Sequence, residues 1–158
     1  MTETRQLEAY EQRLQSQRDH HIGRYLIELN KSFVAATLTH LQAHGFESVT
    51  SHHIHIIAQI DVAGTSIADV LKRSGVTKQS LSNILKILES NGLVQQVASE
   101  DDGRGKQVRF PGKGMSLLQV GLDAVHAVER QYATAIGEKR FEVLKQALGE
   151  LHNAVTHR

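Results

Sequence analysis

Residues 66–94 read SIADVLKRSGVTKQSLSNILKILESNGLV, and this stretch decides the fold. Ser66 followed three residues on by Asp69 has capping-box spacing, so a helix is expected from Ser66. Ile67, Val70 and Leu71 give that helix an inner face, and Gly75 ends it. Thr77 then caps a second helix, in which Leu81, Ile84, Leu85 and Leu88 fall at i, i+3, i+4 and i+7. Gly92 closes this helix and Leu93 follows as the apolar residue after the cap. Two short capped helices joined by Ser74-Gly75-Val76 predict a helix-turn-helix.

With the leucines inward, the second helix presents Lys78, Gln79, Ser82, Asn83 and Lys86 outward. Gln and Asn pair bidentately with adenine, and Lys reaches guanine or a phosphate. Thr77 and Ser80 stand at the helix start, where hydroxyls and free N–H groups suit phosphate. No acid occupies positions 77–88, whereas a plainly solvated helix face would mix both signs.

A hairpin is expected next. Residues 93–97 and 106–110 alternate loosely with period two around the polar tip 99–105, which makes a two-stranded wing. Arg104 and Lys106 belong to that wing. Residues 69–113 hold eight basic and five acidic groups, a local +3 in a chain of net +1. The charge is therefore clustered at the helix-turn-helix rather than spread over the protein. The alternative, a helical hairpin with a merely polar exterior, explains neither the wing nor the acid-free face.

Outward from this core the chain reads as helix. Residues 4–44 form one, expected to break or kink near Gly23, with apolar positions Leu7, Tyr10, Leu14, then Ile22, Leu26, Leu29, Phe33 and Leu41. A short helix is expected from Thr50 or Ser51 to about Ile60, and Asp61 to Thr65 form a turn. Residues 114–135 return to helix, with apolar positions Leu118, Leu122, Val125, Val128 and Tyr132. After a break at Gly137, Phe141, Leu144, Leu148, Leu151 and Val155 step by threes and fours, a coiled-coil-like seam. The fold class is mainly α: a winged helix-turn-helix with long flanking helices. The 158 residues make a single domain, with 50–112 the DNA-binding lobe and 4–48 and 114–158 the dimerisation helices. A chain of this size has too little else to cover both the terminal seam and the stripe on the first helix. Leu7, Tyr10, Leu14, Phe141, Leu144, Leu148, Leu151 and Val155 are thus the expected homodimer contacts.

Composition sets limits. A hydrophobic share of 40% and a charged share of 22% are ordinary for a soluble globular protein. The absence of cysteine excludes disulfides, thiolate nucleophiles and cysteine-ligated zinc. No apolar run is long enough for a membrane span, so a cytoplasmic location is the default. One proline and 4% aromatics point away from a β-sandwich.

At this point the sequence resembles the MarR family of bacterial transcription regulators. Ser66 to Leu71, Gly75-Val76-Thr77 and Leu88 to Val94 look like that family's core, and Asp102-Gly103-Arg104 matches its Asp-x-Arg wing signature. The resemblance covers nearly the whole chain. It implies a homodimer of interlocked terminal helices, each lobe presenting a recognition helix to the major groove and Arg104 to the minor groove. The pattern departs twice: Gln95-Gln96 stand where an arginine is frequent, and Phe110-Pro111 replace Leu-Thr after the wing.

Ten histidines are many for this length. His52, His53 and His55 cluster, and His20-His21 lie in the first helix, but no full ligand set accompanies them, so surface or interface roles are preferred to metal. A stripe such as Tyr25, Leu29 and Phe33 reads as core rather than as the lining of an effector pocket, although the resemblance supports a pocket nearby. No enzyme motif is present: Gly103, Gly105, Gly112 and Gly114 have neither phosphate-loop nor dinucleotide spacing and read as turns, and no cofactor is implied. The expected function is a dimeric, sequence-specific regulator on near-palindromic double-stranded DNA, a repressor relieved by a small molecule. A metal-responsive regulator of the same fold and a winged-helix interaction module without DNA binding are the alternatives.

Overall fold

The computed structural model describes residues 3–98 and 105–156, with side chains from residue 5 onward. It is mainly helical with one small antiparallel sheet. Two compact units divide between Ala35 and Ala36.

The first unit holds α1 (Glu3–Asp19) and the start of α2 (Ile22–Ala43). The break lies at His20-His21, not at Gly23, which sits in the first turn of α2. The reason is a cap: His21 Nδ1 accepts the Arg24 N–H at 3.2 Å, so an imidazole does the work usually given to Ser or Asp. Leu7, Tyr10 and Leu14 are exposed along α1, and Tyr25 and Leu29, expected in a core, are about half exposed.

The second unit carries the core. α3 (Ser51–Ile57) starts from Thr50, whose hydroxyl accepts the His53 N–H while His53 Nδ1 accepts the Thr50 N–H, a reciprocal capping box. α3 ends short of Ile60, with Gln59 and Ile60 in a following turn. β1 (Thr65–Ser66) leads directly into α4 (Ile67–Ser74), and Ser66 Oγ accepts the Asp69 N–H as expected. Gly75 is left-handed, φ 66°, and its N–H returns to the Leu71 carbonyl. α5 (Lys78–Ser90) follows the Thr77 cap. Ile56, Val70, Leu81, Leu85, Leu88 and Val108 are buried together and form the centre of the lobe.

β2 (Gln95–Ala98) and β3 (Lys106–Arg109) form the hairpin, in register Gln95↔Arg109 to Ala98↔Lys106. The sheet order β1-β3-β2 adds a third strand, because Thr65, expected in a turn, pairs with Val108. The tip, residues 99–104, lies outside the described residues, and Arg104 with it.

α6 (Gly112–Ile136) begins two residues before the expected 114, on Pro111 without a side-chain cap. Two other contacts fix this helix start. Lys113 Nζ donates to the Asn91 carbonyl at 3.1 Å. Gly114, expected in a turn, is a buried helical residue whose absent side chain leaves room for the Leu93 carbonyl; a Cβ there would overlap that oxygen. α6 has two apolar stripes, and the buried one is Leu117, Ala124 and Val128. Of the expected positions, Val128 is inside while Leu122 is half exposed. α7 (Glu138–Thr156) joins α6 through Lys145 and Glu129, 2.9 Å apart, yet buries none of its residues. Its seam Leu144, Leu148, Leu151 and Val155 faces out at 40–62% exposure. No helix among the described residues is long and apolar enough to cross a membrane.

Candidate nucleic-acid interface

The candidate surface is built by α5. Burial of Leu81, Leu85 and Leu88 fixes the helix rotation, and what remains outside follows from 3.6-residue geometry. Lys78, Gln79, Ser82, Asn83 and Lys86 are all exposed, as is Thr77, while Ser80 is half-buried. Gln79, Asn83 and Lys86, spaced by four and three, share one outward stripe. The side chains of Lys78, Gln79, Ser82, Asn83 and Lys86 make no hydrogen bond or salt bridge to the described residues, so their polar groups face solvent.

The helix start has the expected donors. Thr77 Oγ1 accepts the Ser80 N–H at 3.1 Å, and the first-turn N–H groups of Lys78 and Gln79 have no intrahelical acceptor. With Lys78 beside them, this end of α5 is electropositive from both dipole and charge.

Side chains that sequence spacing did not reveal hold the surface in place. Glu89, in the last turn of α5, accepts both the backbone N–H of Gln96 at 2.8 Å and its side-chain amide at 2.9 Å. This clamp ties the wing to the recognition helix and covers one N–H of β2. It also explains what a glutamine does after Gly-Leu-Val: it is structural. Arg73, counted among the basic cluster, is engaged elsewhere, donating to Asp61 at 2.8 Å and to the Gln59 carbonyl at 3.2 Å. Asp61 also accepts the Thr65 hydroxyl, and these bonds, Arg73 first, hold its carboxyl below the ordinary carboxylate range. Lys72, Lys78, Lys86 and Lys106 stay exposed.

The histidine cluster divides. His52 is exposed, His53 is buried in its capping box, and His55 Nε2 lies 3.0 Å from the Ser74 carbonyl oxygen. Among the described residues no group of three His, Asp or Glu is placed to hold a metal.

Residues 48–105, from just before α3 to the residue before β3, match the MarR family model. The solved structures similar to the chain include wild-type MarR from E. coli in its apo form, at 16% identity and TM-score 0.69, covering 83% of this chain and 96% of that one. A MarR mutant from E. coli complexed with operator DNA is similar at 17% identity and TM-score 0.65, covering 82% and 92%. NadR in complex with 4-hydroxyphenylacetate is similar at 21% identity and TM-score 0.64, covering 83% and 92%. At these identities the likeness is one of fold. No curated protein matches the sequence significantly.

Proposed function

We propose, on the premise that residues 48–105 form a MarR-family winged helix-turn-helix, that this protein is a dimeric regulator that binds double-stranded DNA sequence-specifically. The observation that carries this is the outward face of α5, exposed, without an acid from Thr77 to Leu88 and furnished with Gln79, Asn83 and Lys86. Gln79, Ser82 and Asn83 read base edges, and Lys86 reaches guanine or phosphate. Thr77, Lys78 and Ser80 take phosphate at the helix start. Lys106 adds a phosphate contact from the wing, and Arg104 enters the adjacent minor groove, where arginine suits narrow A·T-rich tracts. Ile87, 47% exposed and one turn after Asn83, adds an apolar group suited to a thymine methyl.

Two copies associate through the exposed seam of α7 with Leu7, Tyr10 and Leu14 of α1. A two-fold pair of recognition helices meets successive major-groove turns about 34–36 Å apart, so the operator is a near-palindrome with half-sites about 10–10.5 base pairs apart. The role is repression relieved by a small molecule; the operator-bound MarR mutant and the 4-hydroxyphenylacetate complex of NadR support each half of that statement by analogy of fold. No catalytic step and no cofactor enter it.

Selection of bound duplexes from a random pool tests the function. A palindromic motif should emerge. Failure to enrich any motif, with the protein folded, would place it among winged-helix interaction modules instead.

A further inference from the structure

The histidine cluster at the start of the lobe is not absorbed by the DNA-reading face, and one of its members reaches across the fold. His55 Nε2 lies 3.0 Å from the carbonyl oxygen of Ser74, 19 residues further on. A carbonyl oxygen can only accept, so Nε2 carries the proton. Ser74 is the last residue of α4, and the last four carbonyls of a helix have no partner within it. The Gly75 N–H and the Ser74 hydroxyl both go to the Leu71 carbonyl, at 3.2 and 3.3 Å. Neither serves Ser74's own carbonyl. The imidazole of α3 does.

The position of that bond gives it consequence. The Ser74 carbonyl belongs to the peptide joining Ser74 to Gly75, the first link of the turn between α4 and α5. Gly75 imposes no steric preference of its own, since its φ of 66° is one of many it can adopt. The N–H of this same peptide is held by the Leu71 carbonyl, and the hydrogen bond from His55 holds its carbonyl side, so the plane is fixed at both ends. Two residues later Thr77 starts α5. We propose that His55 is a positioning residue for DNA recognition: its Nε2–H caps the end of α4 and sets the turn that aims α5 at the groove. This rests on the DNA-binding function proposed above. The required chemistry is a donor on a side chain of sufficient reach; the ring itself is dispensable.

The test uses the full-length protein with His55→Ala and His55→Gln, and the duplex enriched by the wild type. Ala removes the donor and Gln keeps one. His55→Ala should retain cooperative unfolding, shift the amide resonances of Gly75, Val76 and Thr77, and lose DNA affinity by about threefold to tenfold, the range of one net hydrogen bond. His55→Gln should recover most of that affinity. In the wild type, the 15N shifts of His55 should report the Nε2–H tautomer. Wild-type affinity in His55→Ala, or equal losses in Ala and Gln, would overturn the role. So would the Nδ1–H tautomer, which needs no variant and decides the matter should His55→Ala not fold. A wild type that enriches no duplex sinks the DNA-binding function and this role with it; a wild type that binds while His55→Ala is unchanged sinks this role alone.

Discussion

At the scale of single residues, the chemistry turns on which polar groups are engaged and which are left to solvent. Gln79 and Asn83 are exposed, and their side chains make no hydrogen bond to the described residues. His53 is the opposite case, buried with its Nδ1 accepting a backbone N–H. Burial pushes its pKa below the usual 6.5, and His52 adds to this, against a backbone hydrogen bond with Ser48 that raises it. The folded state therefore binds fewer protons than the unfolded chain. The stability His53 contributes is fully present above the unfolded value of about 6.5 and is lost as pH falls through the depressed folded value. Urea midpoints should fall as pH drops from about 6.5 toward that lower value, and less steeply in His53→Gln, whose amide oxygen can accept the same N–H. Identical slopes in the two proteins would show that His53 does not set this response. None of this was legible in the sequence, where three histidines in four positions suggest ligands or surface as readily as caps. An imidazole cap has no signature beyond the spacing that Ser and Thr also use.

At the scale of elements, the helix-turn-helix was legible because each boundary has its own chemical mark. Ser66 and Thr77 cap, Gly75 and Gly92 stop, and the leucines of α5 hold one period. β1 was not legible, since two residues cannot show an alternation. For α6 the spacing names apolar positions but not the face that meets the core: Val128 is buried and Leu122 half exposed, while Leu117 and Ala124, on the second apolar stripe, are also inside. Gly114 was read as a turn because glycine is ambiguous between freedom and smallness. Here smallness decides, and the variants differ accordingly. Gly114→Ala, forced against the Leu93 carbonyl, should lose about 1–3 kcal/mol by urea unfolding, in line with overpacking. Gly112→Ala, with open space around it, should stay within about 0.5 kcal/mol. Equal losses at the two positions would contradict this packing. Thr77→Ala should cost about 1 kcal/mol as a lost cap, measured the same way.

At the scale of the whole molecule, the outstanding feature is a terminal helix with no buried residue and an apolar seam. The seam was plain from the sequence and lies exposed on the single chain; that a second copy covers it is the proposal. Sedimentation of the wild type should give a dimer that persists at moderate dilution, because dimer and fold are linked by mass action. Leu148→Glu should abolish it. A stable, monodisperse wild-type monomer would count against the assembly and against the palindromic operator that depends on it.

The central claim, that α5 reads DNA, is tested most directly by one titration: wild type against Gln79→Ala/Asn83→Ala on the selected duplex and on a scrambled one of the same length. The exposed positions of both residues make a fold-neutral double variant available. The double variant should lose about 1–3 kcal/mol for each group on the selected duplex, and little on the scrambled one, so that preference collapses. An unchanged affinity and an unchanged preference would mean that α5 does not read DNA.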